Sequence, residues 1–336
     1  MQHNDELKLT LSSTAASQRP LRDRIGIPIQ GTDSLNTIIT RVKEAEQAGV
    51  RQVWISTTGI GVTDILTVLA IVATQTEHIR LGTGIVPTYP RHPLALAQQA
   101  LTVHDIAPGR LRLGIGPSIQ PFIEGVYGLE YTSPLSHLKE YLEVLRALLW
   151  EGSVDHHGTF FNVTYTLPRT ARVPLLISAL GLKAFRLAGE FADGVLPAWC
   201  PLPYLLNQAL PALRAGAEAH KRPAPPIIAS LPVALSTDEA AVLAAVRQSV
   251  QMMTQVGPYA QMFTQAGFAG AVAGDESSLN ALTRSLVISG DEETVRNRLR
   301  VLLASGIDEL ALGLVPIADE ASERMRLFHL IGSLDA

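Results

Sequence analysis

Residues 81–118 read LGTGIVPTYPRHPLALAQQALTVHDIAPGRLRLGIGPS. Taken with the two residues before it, the segment opens on a strand over 79–84 (IRLGTG) and closes on a second over 111–116 (LRLGIG). Between them Pro93 stands at a first helical turn, where a missing N–H goes unnoticed, and apolar positions recur to about Asp105 before Pro108-Gly109 turns the chain. Strand, crossover helix, strand is the unit of a parallel sheet.

The alternation continues in both directions. Upstream the pattern predicts a strand over 24–29, a helix over 34–48 closed by Gly49, a strand over 52–56 (QVWIS) and a helix over 63–75. Downstream it predicts an amphipathic helix over 134–150, then strands over 174–178, 193–197, 227–235 and 309–314. Helices are expected over 181–190, 202–220, 238–255, 291–304, with a capping box from Ser289 to Glu292, and 322–334. Residues 153–173 lack a helical period and read as an irregular excursion, and the Gly- and Ala-rich segment 257–280 reads as an insertion over the mouth of the fold. Eight strands, each with a helix, define the α/β class as one (β/α)8 TIM barrel over 22–336, with insertions after strand four and before strand eight and a disordered leader over 1–21. A doubly wound sheet would need a dinucleotide fingerprint. Gly82 with Gly84, and Gly114 with Gly116, begin as G-x-G but lack the third glycine, and neither pair follows the first strand.

Composition excludes several function classes. Of 336 residues 47% are hydrophobic and 17% charged, which is incompatible with a disordered or fibrous chain. Lys and Arg number 27 against 31 Asp and Glu, a formal charge of −4, with no basic block and 5% aromatics, so the footprint of nucleic-acid binding is missing. The single cysteine, Cys200, cannot close an intramolecular disulfide or contribute to a CxxC. The longest uncharged apolar run, 65–76, is about half of the roughly 20 residues that span a bilayer, and the first 20 residues lack the basic and apolar regions of a secretory signal. A cytoplasmic protein acting on small molecules is expected.

In such a barrel the residues just after each strand form the site. Thr57 and Thr58 follow strand two, Gly84 to Pro93 follow strand three, Ser118 follows strand four, and Ala179, Leu180, Gly181, Leu182 and Lys183 follow strand five. The last group opens a helix, whose free N–H groups suit an anion such as phosphate. A tight βα turn at Gly181 accounts for the same residues. Arg91 and His92 offer a cation and an imidazole to an acidic ligand, although an arginine near a helix start also pairs with surface carboxylates. His137 and Glu140, at i and i+3, read as a surface pair. His156 and His157, adjacent in an extended segment, point to opposite faces, so no metal site is expected. There is no G-x-S-x-G and no conspicuous carboxylate pair at the strand ends. A site so short of acids and bases fits a protein that positions a cofactor.

Residues 81–118 resemble the core signature of the bacterial luciferase-like flavin and deazaflavin oxidoreductases. Residues 174–199 (PLLISALGLKAFRLAGEFADGVLPAW) are similar to the phosphate-binding stretch of the branch using the deazaflavin coenzyme F420, and 140–152 and 289–310 match as well. The resemblance implies a barrel with the tricyclic ring at its C-terminal mouth and a non-prolyl cis peptide at Gly84–Ile85. It further implies Val86, Pro87 and Thr88 along the ring edge, Ser118 near the ribityl chain or phosphate, and Ala179 to Lys183 on the phosphate. Hydride transfer at the deazaflavin C5 and a homodimer through the helices after strands one to three are the family pattern. Thr57-Thr58 and Ile119-Gln120 depart from it, since dehydrogenases of the branch carry an acid or histidine after strand two and a glutamate after strand four. The leading expectation is an F420-dependent oxidoreductase; an FMN-dependent monooxygenase with a separate reductase and a non-catalytic flavin-binding protein are the alternatives.

Overall fold

The structure is a computed structural model that describes residues 19–56 and 63–335. A turn of 3-10 helix (Leu21–Arg24) leads into β1 (Ile25–Gln30), α1 (Leu35–Gln47), β2 (Gln52–Ser56), α2 (Ile65–Ala73), β3 (Arg80–Gly84), β4 (Val86–Pro87), α3 (Pro93–Ile106) and β5 (Leu111–Gly116). Next come α4 (Gln120–Tyr127), α5 (Pro134–Arg146), β6 (Ser153–His157), β7 (Asn162–Thr166), β8 (Leu175–Ser178), α6 (Leu182–Phe191), β9 (Gly194–Leu196) and α7 (Leu210–Ala219). The chain finishes with β10 (Ile228–Ala234), α8 (Glu239–Thr254), α9 (Gly257–Gln265), α10 (Glu276–Leu286), β11 (Ile288–Ser289), α11 (Glu292–Ala304), β12 (Glu309–Leu314) and α12 (Glu320–Gly332).

These strands form a curled parallel sheet in the order β11-β10-β12-β1-β2-β3-β5-β8-β9, with β4 added to β5. The curl brings β9 back beside β10, where the bridges Val195–Ile227 and Ala198–Ser230 join them. Alternation along each strand sends one set of side chains outward under the helices, among them Ile25, Val53, Leu81, Leu113 and Leu310, all fully buried. The other set faces the lumen. Helix packing is close where glycines permit it: a Cβ at Gly189 would lie 2.0 Å from the carbonyl oxygen of Leu213, and one at Gly216 would lie 2.1 Å from that of Arg186.

Several expectations need correction. Residues 153–173 are not irregular. β6 and β7 pair antiparallel from Ser153–Thr166 to His157–Asn162, burying Val154 and Val163, a period of two that a search for helical period passes over. Glu140 on α5 fixes the hairpin turn by accepting the N–H groups of Phe160 (2.9 Å), Phe161 (2.7 Å) and Thr159 (3.2 Å) and by pairing with His156 Nε2 at 3.1 Å. The Gly- and Ala-rich segment is helical, forming α9, a turn at Ala269–Val272 and the start of α10. α4 was missed because it spans two turns and keeps only Ile123 buried. The cap of α11 is Asp291, which accepts from Thr294 N–H, because Ser289 is held in β11 against Ala234. Of the expected leader, 1–18 lie outside the described residues, whereas Arg19 is anchored on Glu309 at 2.5 Å and the Leu21 N–H on Asp335 at 3.1 Å. No helix among the described residues is long and apolar enough to cross a membrane.

Candidate functional site

The lumen is layered. Register pairs Gln52 with Arg80, Trp54 with Gly82 and Ser56 with Gly84, then Gly82 with Arg112, so each layer draws on neighbouring strands. The N-terminal layer is ionic, with Arg112 and Glu309 at 2.6 Å and Gln52 Oε1 accepting from Arg112 at 2.8 Å. Above it Trp54 packs with Leu176, Leu196, Ile228 and Ala311. Gly82 makes room for the indole, since a Cβ there would come 2.2 Å from Trp54 Cε3. The uppermost layer sets the small residues Ser56, Gly84, Gly116 and Ser178 beside Gln30 and Leu196, which pair in register with Ser56 and Ser178. Even there contact is close, because a Cβ at Gly116 would fall 2.1 Å from Ser178 Oγ.

β3, β5 and β8 are sheet neighbours, so their C-terminal ends bring most of the predicted residues to one mouth. The peptide between Gly84 and Ile85 is cis, as the resemblance implied. Val86 and Pro87 then pair with Ile115 and Gly116, and the Thr88 N–H donates to the Gly116 carbonyl at 3.0 Å. Ser118 has φ 63 and accepts at its carbonyl from Tyr131 Oη (3.1 Å). Beyond Ser178, Ala179 is buried, and the Leu180 carbonyl takes the Tyr204 hydroxyl at 2.8 Å. Gly181 is the N-cap of α6 with no side-chain cap, so the N–H groups of the first turn are left for other acceptors. A Cβ at Gly181 would meet nothing within 4 Å, and Lys183 is exposed within the first turn.

The candidate catalytic residues are placed differently. Thr57 and Thr58 lie outside the described residues. Arg91 is held by Asp64, the N-cap of α2, at 2.5 Å and by Gln99 at 3.1 Å. His92 is the N-cap of α3, its Nδ1 accepting from Leu94 N–H at 3.2 Å, with its ring edge on Phe161. Both therefore shape helix starts around the mouth.

The reading of His137 as a surface residue is overturned: it is buried and stacked on Tyr89 at 4.0 Å and 3°, and Tyr89 also stacks with Tyr131 at 5.0 Å. Its Nδ1 lies 3.4 Å from Thr88 Oγ1. The signal was present in the sequence, since His137, Tyr141, Val144 and Leu148 recur on one helical face. Burial pushes the imidazole down to about 4, against a weaker upward pull from Glu140. A histidine kept neutral in the fold but able to protonate when unfolded, near pH 6.5, loses stability as pH falls from there towards 4. Urea midpoints are expected to drop by the equivalent of about 1–2 kcal/mol between pH 7 and pH 4.5. In His137→Phe this portion of the pH dependence disappears; an unchanged profile would place the titration elsewhere.

With this geometry in hand, known proteins give it a family. The profile of the luciferase-like monooxygenases matches residues 13–309. The chain is 32% identical to the 5,10-methylenetetrahydromethanopterin reductase of Methanolobus tindarius over 173 residues, a match that spans 51% of this chain and only 52% of that one. It is 28% identical over 314 residues to a Mycobacterium tuberculosis protein named as a coenzyme F420-dependent oxidoreductase, covering 79% and 87% of the two chains. The fold is shared with the F420-dependent tetrahydromethanopterin reductase of Methanopyrus kandleri (TM-score 0.73, 24% identity, 93% and 97% covered). It is shared equally with the oxygenating component of a Pseudomonas putida 3,6-diketocamphane monooxygenase in complex with FMN (TM-score 0.71, 16% identity, 93% and 97% covered). The curled sheet with its cis peptide at the mouth and the match over 13–309 together make this chain a member of the luciferase-like monooxygenase family.

Proposed function

We propose that the chain is a coenzyme F420-dependent oxidoreductase that passes a hydride between the deazaflavin and a small organic substrate at the C-terminal mouth of the sheet. The observation that carries this reading is the layer of Ser56, Gly84, Gly116 and Ser178 over the Trp54 plug, beside the uncapped start of α6. Small residues at these four positions leave space for a fused ring, and free N–H groups at the helix start accept a phosphate. The residues present therefore fit a phosphorylated tricyclic cofactor. Gly84 to Thr88 would border the ring, Ser118 the chain, and Ala179 to Lys183 the phosphate. When bound, the deazaflavin supplies the hydride donor or acceptor. The protein's own part is to orient ring and substrate and to exclude water, since Arg91, His92 and His137 have their polar atoms turned to Asp64, Leu94 and Thr88. A deazaflavin rather than FMN is supported by a relative that covers most of both chains and whose name carries F420.

FMN-dependent monooxygenation is the second reading, favoured by the FMN-bound protein of the same fold. Titration of the protein with oxidised F420 and, separately, with FMN at matched ionic strength tests the two. Low-micromolar binding of F420, with FMN weaker by about tenfold or more, a difference of about 1.4 kcal/mol, is the expected result. Preferential binding of FMN would move the assignment to the monooxygenases, and binding of neither would remove the cofactor site from this mouth.

A further inference from the structure

At the N-terminal end of the lumen, far from the mouth, the charges of the described residues do not balance. Glu309 is 1% exposed and receives Arg19 at 2.5 Å and Arg112 at 2.6 Å. Arg80 extends from the adjacent strand into the same layer, donating to the Asp23 carbonyl. Burial and the neighbouring Arg112 and Arg19 lower its guanidinium to about 10 against the opposing pull of Glu309, so it stays cationic at neutral pH. Among the described residues, three guanidiniums thus surround one carboxylate. Asp23 lies at the rim, a third exposed and facing Arg51 at 4.0 Å. Arg24 is saturated by the carbonyls of Leu303, Ile307 and Asp308.

This layer and the Trp54 layer above it contain donors with no acceptor. Among the described residues, Gln52 Nε2, Trp54 Nε1 and Arg19 Nε are buried and donate to no protein group. Both the Gln52 and the Trp54 side chains lie beside Gly26: a point at its Cβ position is 2.5 Å from Gln52 Cγ and 3.0 Å from Trp54 Nε1. Unmade bonds of this kind are uncommon in folded proteins, and surplus like charge in a low-dielectric interior is costly. A water would satisfy the donors but leave the charge.

We propose that this floor binds a small monovalent inorganic anion of halide size, held by Arg19, Gln52, Arg80 and Arg112 with the Trp54 indole N–H. The ligand completes both deficits together, giving acceptor capacity to the orphaned N–H groups and negative charge to the arginine cluster. It acts on the stability of the barrel, because only the folded chain assembles residues 19, 52, 80 and 112.

Thermal melts at constant ionic strength in sodium gluconate, chloride and bromide test the site. The midpoint is expected to rise saturably by about 2–4 °C in either halide relative to gluconate. In Gln52→Glu, which puts a carboxylate into the same layer, the halide effect should vanish and the gluconate midpoint should reach that of the wild type in halide. Crystals grown in bromide provide a measurement independent of any variant: an anomalous peak within hydrogen-bonding distance of Gln52 Nε2 or Trp54 Nε1 is expected. Equal midpoints in all three salts, or water alone at that position in the bromide crystals, would overturn the proposal.

Discussion

Glu309→Ala is expected to lower the stability of the fold by about 3–5 kcal/mol, the largest effect of any single substitution considered for this chain. The carboxylate is 1% exposed and shared between Arg19 and Arg112, with Arg80 in the same layer. Its removal leaves guanidiniums buried without a counter-charge. Arg112 is further constrained because its Cζ lies 4.8 Å over the Trp54 ring, so it cannot swing out to water without disturbing the plug on which the mouth rests. Urea denaturation of the variant reads the loss directly. Pairing Glu309→Ala with Arg112→Met should recover part of it, because an apolar replacement of a buried ion pair is often tolerated where its half is not. A loss below about 1 kcal/mol would mean that solvent reaches the floor and the pair behaves as a surface one. The pH dependence carries a sign. The arginines overcome the cost of burial and hold the Glu309 carboxyl far below its ordinary 4.5. The stabilisation is therefore fully present above about pH 4.5 and is lost as pH falls towards the folded-state value.

Gly181→Asp is expected to weaken F420 binding by at least about tenfold to a hundredfold with little change in stability. Gly181 has φ −84 and ψ 154, ordinary extended values, and open space around its Cβ position, so the fold accepts a side chain there. Aspartate is in fact a better N-cap than glycine by a few tenths of a kcal/mol. The same carboxylate would take the N–H groups at the start of α6 and put a negative charge where the cofactor phosphate would bind. Fluorescence titration of the variant measures the loss, and Gly181→Asn, which caps without the charge, should lose less. If Asp and Asn bound F420 as the wild type does, the phosphate would lie away from α6 and the orientation proposed for the ring would fail with it.

How much of this was legible differs from residue to residue. QVWIS at 52–56 and LRLGIG at 111–116 were bounded correctly as strands because their short apolar runs and flanking turns are local signals. The cis peptide at Gly84–Ile85 came from family likeness, not from propensity. His137 was misread because a histidine three residues from a glutamate looks solvated until the ring of Tyr89 is brought onto it from another loop. Arg91 and His92 attracted attention for their chemistry, but their partners Asp64 and Leu94 show them holding helix starts.

The sequence by itself determined the alternation of strand and helix and the strand ends at which a site could form, since apolar periodicity and turn residues act over a few positions. Only the tertiary structure decided what fills the lumen. Arg112 and Glu309 are separated by 197 residues and meet because β12 and β5 curl round the same axis. Trp54 becomes a plug because Gly82 stands beside it in register, and Glu140 anchors a hairpin 20 residues away in the chain. These contacts depend on which strands become neighbours and on where the helices pack against them, a choice that the whole core makes and that no local stretch encodes.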